Sequence, residues 1–212
     1  MNSFLIAIIL ANVLMSYKGF NDTHFFRKYE FYMGRVRSGE YIRILSSAFL
    51  HADIGHLIFN MLTLYFFAPV VIHYLGNWYF VLIYLGSLIF GGLLTVYFHK
   101  KEYHYRAIGA SGAVTGILYS AIILRPDMML GLFFIVPIPA YIFGIVYLLY
   151  SIYGMKAKND NIGHTAHFGG AIGGYLLTLL IMPQLLFEHA LMVALLTLPI
   201  VVLFGMAKMG KL

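Results

Sequence analysis

One serine and a small set of imidazole and amide side chains carry the chemistry this sequence can do. Ser111 stands in Gly109-Ala110-Ser111-Gly112. His167 stands in Ala166-His167-Phe168-Gly169-Gly170, three residues after His164. His56 and Asn60, four residues apart, project from one face if the segment is helical. A hydroxyl within reach of an imidazole is a nucleophile with its general base. An imidazole N–H, an amide NH₂ and the backbone N–H of Ser111 are donors of the kind a tetrahedral oxyanion needs. Each residue also has a plainer reading. Ser111 can be one more small packing residue, His167 an interhelical hydrogen-bonding partner, and Asn60 a polar link between helices. For His51 a loop-stabilising hydrogen bond is the favoured role.

Other chemistries fare worse. The chain has no cysteine, which removes thiolate nucleophiles, disulfides and Cys-ligated metal sites together. His164 and His167 with His56 could offer three nitrogens to zinc, but there is no HExxH pattern and no Asp or Glu inside these segments. We therefore expect no catalytic metal. Paired carboxylates for aspartyl chemistry are missing as well.

The elements that must position these groups are set by composition. Of 212 residues 61% are hydrophobic and only 10% charged, with a mean hydropathy of +0.85; soluble domains carry roughly 25% charged residues. The chain reads as an all-α integral membrane protein. Its net charge of +6 suits loops meeting lipid headgroups, since no basic helix or aromatic-interleaved basic stripe of the nucleic-acid-binding kind occurs. Apolar runs near 2–16, 56–75, 78–98, 111–124, 128–150, 164–182 and 187–207 predict seven spans. The first lacks a basic start and a clear cleavage site, so it reads as a helix of the mature protein. A polar stretch over 17–55, with Phe25, Phe26, Tyr29, Phe31 and Tyr32 among its charges, suits a loop at headgroup level.

Alternating spans put the starts of the second, fourth and sixth on one side of the membrane, at similar depth. His56, Asn60, Ser111, His164 and His167 all lie there. The fourth run is short: Ser111 to Leu124 gives about 21 Å of helix against a hydrocarbon core of about 30 Å. Either residues 107–110 continue it, or the preceding loop dips inward and Ser111 starts the helix inside a wet hollow. Gly112 and Gly116 form a small-residue ridge, and His167, Gly170, Ala171 and Gly174 share a face. Packing the two together would bring Ser111 to His167.

The combination of GxSG opening a short helix, HxxxxHxxxN opening an earlier one and AHxGG opening a later one resembles the rhomboid intramembrane serine proteases, over about residues 40–182. The resemblance implies a Ser111–His167 dyad without an acidic third member, and an oxyanion hole made by His56, Asn60 and the Ser111 amide. It matches Glu40 and Arg43 to the family's membrane-embedded first loop and Phe59 to the substrate entry side. It further implies a six-helix rhomboid-like catalytic core over 1–182 and an additional C-terminal transmembrane helix within 183–212, in a bacterial-type cell membrane. Its partners would be transmembrane protein substrates and the lipid bilayer, with no nucleic acid and no cofactor.

Two positions depart from the family pattern. Ile42 stands where Trp often precedes the first-loop Arg, and Thr115 stands where many bacterial members have a Tyr stacked on the catalytic His. Orientation is also in conflict. Thirteen Lys and Arg lie on the side of the active-site mouth and one, Arg125, on the other, which by the positive-inside rule turns that mouth to the cytoplasm, whereas bacterial relatives open it outward. The competing functions are a catalytically inactive rhomboid-like protein that binds transmembrane clients and a small transporter. The first should lack the nucleophile or the base, and the second should show an internal repeat; neither description fits the sequence.

Overall fold

The computed structural model describes residues 2–132, 136–157 and 162–212. Helix α1 (Ser3–Asn21) opens on Asn2, whose side chain accepts from the Phe4 and Leu5 N–H groups. The polar stretch after it carries structure of its own: α2 (Thr23–Tyr29), the short strand β1 (Phe31–Tyr32), α3 (Met33–Arg37), α4 (Ile42–Ser46) and a 3₁₀ turn over Ser47–Phe49. Then come α5 (Ile54–Leu75), α6 (Asn77–His99), strand β2 (Arg106–Ala107), α7 (Ser111–Leu124), strands β3 (Met129–Leu132) and β4 (Val136–Pro139), α8 (Ala140–Ala157), α9 (His164–Ile181), α10 (Leu185–Glu188) and α11 (Ala190–Lys208). Helices α1, α5, α6, α8 and α11 are long and apolar enough to cross a membrane.

Some boundaries differ from the sequence expectation. The first helix runs five residues past residue 16, and the last begins at Ala190 after the separate turn of α10. The largest difference is the fifth run, expected as a helix over 128–150. Its first part is an antiparallel hairpin pairing Met129 with Pro139 and Gly131 with Pro137, and the helix spans Ala140–Ala157. Single prolines are accommodated inside α5 (Pro69) and α11 (Pro199). Pro137 and Pro139, two residues apart, would remove two helical donors and clash with the preceding turn. The hairpin ends at Pro139 and the helix starts one residue later.

Helix α7 is the axis of the molecule. It packs against α5, α6, α8 and α9, and Gly112 through Leu124 are all buried. An apolar surface all round is what a helix enclosed by other helices requires. Its approach to α9 is set by glycines: a Cβ on Gly170 would strike the Gly112 carbonyl, and one on Gly174 the Gly116 carbonyl. Gly91 of α6 also lies against the Ala166 carbonyl, less tightly, 2.6 Å from where its Cβ would lie. With little hydrophobic drive to association inside lipid, such backbone contact is a main source of packing energy.

The polar stretch is tied to the segment entering α7. β1 pairs with β2, Phe31 opposite Ala107 and Tyr32 opposite Arg106. The Gly109 N–H donates to the Ser47 carbonyl at 3.0 Å. Arg106 bonds the buried Glu30 carboxylate and lies over the Tyr32 ring, 4.0 Å from its centroid. Ala107 belongs to a strand and Ala110 is the residue capping α7, so the helix does not extend back through 107–110.

Candidate active site

Ser111 is the first residue of α7 and His167 lies one turn into α9. The glycine seam between these helices brings Ser111 Oγ and His167 Nε2 to 2.6 Å. His167 is only 8% exposed. On its far side, Nδ1 lies 2.7 Å from the phenol oxygen of Tyr147 on α8, with the two rings 5.8 Å apart and tilted by 25°. Thr115, one turn below the serine, donates its hydroxyl to the Ser111 carbonyl at 2.7 Å.

His56 is delivered by the start of α5, where the Asp53 carboxylate caps the helix by accepting from the His56 N–H at 2.8 Å. Its Nδ1 accepts from the Ala52 N–H at 3.5 Å, the long end of a hydrogen bond. The ring hydrogen is then on Nε2. That edge faces Gly109: a Cβ there would sit 2.9 Å from His56 Nε2 and 3.7 Å from Ser111 Oγ. Gly109 has φ +114°, a conformation suited to glycine, so backbone and contact both demand the missing side chain. Asn60 is buried on the same helix face, and its amide nitrogen gives one hydrogen to the His56 carbonyl at 3.0 Å, keeping a second. The Ser111 N–H belongs to the first turn of α7, where backbone donors have no intrahelical partner.

His51 ties loop to site. Its Nε2 accepts from the Ala110 N–H at 3.4 Å, so Nδ1 carries the hydrogen and donates to Ser16 Oγ at 2.8 Å, which in turn donates to the Phe49 carbonyl at 3.0 Å. Burial holds the His51 imidazole down at about 3, the nearby His56 adding to the effect and the Asp53 carboxylate opposing it. The ring is neutral at physiological pH, as its accepting role requires.

Glu40 and Arg43 lie in the polar stretch and form part of its skeleton. Arg43 is buried; Nε donates to Glu40 at 2.7 Å, and Nη1 donates to the carbonyls of Arg27 at 2.8 Å and Glu30 at 2.9 Å. The Arg43 hydrogen bond, helped by Arg35, holds the Glu40 carboxyl below its usual range. Ile42 is 60% exposed, so the bonds that hold the loop run through Arg43 beside it. Phe59 projects outward from α5, 73% exposed. The His164 ring lies edge-on to Tyr150, its centroid 6.4 Å from that of His167. Among the described residues no group of three or more His, Asp or Glu side chains is arranged to hold a metal.

The rhomboid domain family model matches residues 38–184, more than half of the chain. The chain belongs to the rhomboid family. It is therefore an all-α, integral, multi-pass membrane protein. This rhomboid is 29% identical over 183 residues to RHOMBOID-like protein 12, mitochondrial, of Arabidopsis thaliana, a match covering 78% of the chain and 54% of that protein. It is 33% identical over 147 residues to the putative rhomboid protease YdcA of Bacillus subtilis, covering 68% of the chain and 69% of the relative. Against the rhomboid protease GluP of the same bacterium it is 33% identical over 144 residues, 66% of the chain and 26% of GluP. The chain thus spans about half of the first relative and about a quarter of the last.

Tyr147 is the site residue of this rhomboid that the sequence pattern did not single out. Its signal was nonetheless present. Gly144, Ser151 and Gly154 make a small-residue seam at helical spacing, and Tyr147 lies on it. Placing the helix over 128–150 put Ser151 and Gly154 beyond its end and broke the seam.

Proposed function

We propose that this rhomboid is an intramembrane serine protease that hydrolyses peptide bonds in or near transmembrane segments of membrane proteins. The observation that carries the reading is the 2.6 Å contact between Ser111 Oγ and His167 Nε2. As Oγ attacks the scissile carbonyl, its proton passes to Nε2, and the carbonyl oxygen becomes an oxyanion. The His56 Nε2–H, the second Asn60 amide hydrogen and the Ser111 N–H are the donors to it, each such donor contributing about 10²–10³ in rate where this has been measured in other serine proteases. Collapse of the intermediate sends the Nε2 proton to the leaving amine and leaves an acyl-enzyme on Ser111. Water then attacks the ester, again giving its proton to His167 and restoring the hydroxyl. No metal or cofactor enters any step. A helical carbonyl is hydrogen-bonded and sterically shielded, so the substrate segment must unwind locally before attack.

The test is cleavage of a model single-pass substrate in detergent by wild type, Ser111→Ala and His167→Ala. Cleavage by wild type alone, unaffected by chelators, is expected. Equal cleavage by all three, or inhibition only by chelators, overturns the serine mechanism. Lateral binding of the substrate by wild type with no cleavage product would assign the chain to the client-binding, inactive class.

A further inference from the structure

We infer that the furrow between α6, α9 and α11 is a binding site for an anionic phospholipid, with an acyl chain lying in it and the headgroup phosphate held by Lys100 and Lys208. The site lies outside the proposed catalytic centre. Its test reads lipid binding, so it stands or falls apart from the protease reading.

The furrow has a volume of about 340 Å³ and is lined by Leu93 and Tyr97 of α6, by Gly169 and Ile172 of α9 and by Phe204 of α11, with their neighbours. Among the described residues that line it, only Tyr97 has a polar side-chain atom. Its floor is bare because α9 and α6 meet through backbone: a Cβ on Gly169 would stand 2.7 Å from the Phe90 carbonyl. Its walls, Leu93 and Tyr97 on one side and Phe204 on the other, are exposed. The wall on α11 stands off because that helix is fastened elsewhere. Near its start the Tyr175 phenol donates to the Val193 carbonyl at 3.2 Å and meets the Thr197 hydroxyl at 2.6 Å, and the helix packs on α8. An apolar slot of this kind, open to the bilayer, is filled by hydrocarbon.

One end of the slot is cationic. Thr165 of α9 meets Thr95 of α6 while Gly173 lies against Ser87, and Tyr175 of α9 meets Val193 of α11 while Gly169 shares the furrow with Phe204. Helices α6 and α11 therefore run the same way, both antiparallel to α9, and their C-termini emerge together. Lys100 follows Tyr97 by three residues, and its Nζ stands 5.3 Å from the Tyr97 ring centroid. Lys208 follows Phe204 by four residues, on the same face of α11. Arg37 adds a third cation, its Nη1 donating to the Lys100 carbonyl at 3.0 Å. Glu102, the acidic residue of that segment, is bonded to His99 at 2.8 Å. Long basic side chains at the ends of spanning helices reach the headgroup layer, so a hydrocarbon slot beneath them is complementary to a lipid with a negative headgroup. A second copy of the chain fits worse: a two-fold axis along the membrane normal would set these cations against their own kind.

The experiment uses the full chain in an uncharged detergent, with native mass spectrometry following the first bound lipid as phosphatidylglycerol or phosphatidylcholine of the same acyl chains is added. Removing Lys100 and Lys208 together as Lys100→Gln/Lys208→Gln should weaken phosphatidylglycerol by about 25-fold, at about fivefold for each lysine near the headgroup, and leave phosphatidylcholine unchanged. Wild type should accordingly prefer phosphatidylglycerol by at least about that factor. Leu93→Trp, which fills the slot from its exposed wall, should weaken both lipids alike. Lys18→Gln/Lys28→Gln removes the same charge from α1 and α2 and should leave both affinities as they are. Equal binding of the two lipids by wild type, or an equal loss in the α1 and α2 pair, would reduce the effect to net charge and overturn the site. Undiminished binding by Leu93→Trp would overturn the acyl slot, and a dimer of wild type that Leu93→Trp disperses would put a second copy there instead.

Discussion

Gly170 of α9 and Gly112 of α7 are in backbone contact, so that a Cβ on Gly170 would run into the Gly112 carbonyl. The pair lies one helical turn or less from His167 and Ser111 and sets the separation at which those two side chains meet. A base and nucleophile on different helices depend on this distance as much as on their own chemistry.

Gly170→Ala should therefore cost stability and activity together. The obstacle is backbone, which cannot swing aside, so the destabilisation should lie toward the upper end of the about 1–3 kcal/mol typical of overpacking. Cleavage should drop by more than tenfold because the helices separate at the dyad. Gly205→Ala in α11 is the control: nothing lies within 4 Å of its Cβ position, and a helix-interior alanine should leave activity intact and raise stability by about 0.5–1 kcal/mol. Thermal unfolding in detergent beside the cleavage assay checks both. Equal behaviour of the two variants would show that the seam does not set the dyad.

Arg43 gathers the first polar stretch onto itself, bonding Glu40 and the carbonyls of Arg27 and Glu30 at once. Arg43→Gln should strand the buried Glu30 carbonyl, at about 1–3 kcal/mol for a group left unsatisfied, and lose the part-buried Arg27 contact at less cost. Arg43→Lys should recover little, since a single ammonium cannot reproduce the guanidinium fork. Glu40→Gln should matter much less, its carboxylate being part-exposed and the carbonyl bonds of Arg43 remaining. Hydrogen exchange of residues 23–49, compared across the three variants, reads the ordering of this stretch. Protection lost as fully in Glu40→Gln as in Arg43→Gln would contradict the ranking.

The His51 bridge predicts a pH dependence. Its folded-state value of about 3 lies below the ordinary value of 6.5, so the unfolded chain binds the proton more tightly. The contribution of His51 to stability is whole above about pH 6.5, falls as the pH drops through the interval from 6.5 to about 3, and is flat below it. His51→Gln should be less stable than wild type near pH 8, having lost the fit between Ser16 and Ala110, yet its unfolding temperature should fall less between pH 6.5 and 4. Parallel curves for the two proteins would rule out the titration of His51 as the cause.

Much of this architecture could be read from residues alone. The charge and hydropathy patterning gave the membrane setting and most of the helix positions, though five described helices and not seven are long and apolar enough to cross a membrane. GxSG and AHxGG named Ser111 and His167, which meet at the start of α7, and the i, i+4 spacing put His56 and Asn60 together on α5. Local signals fell short in two places. The apolar run over 128–150 was read for hydrophobicity, which does not distinguish hairpin from helix, while Pro137 and Pro139 favoured the hairpin. Tyr147 escaped because a tyrosine in an apolar helix is ordinary until the helix has a defined start and a defined neighbour.

Sequence by itself determined which groups are polar, which surfaces are bare and where regular backbone can begin, because those properties belong to single residues and their near neighbours. Only the tertiary structure decided that Ser111 and His167, 56 residues apart, are in hydrogen-bonding contact. It alone decided that a phenol from a third helix meets the far nitrogen of the imidazole, and that His51 joins Ser16 to Ala110. Hydrogen-bond direction depends on what every partner in a circuit does with its own proton, and those partners become neighbours only when the helices pack.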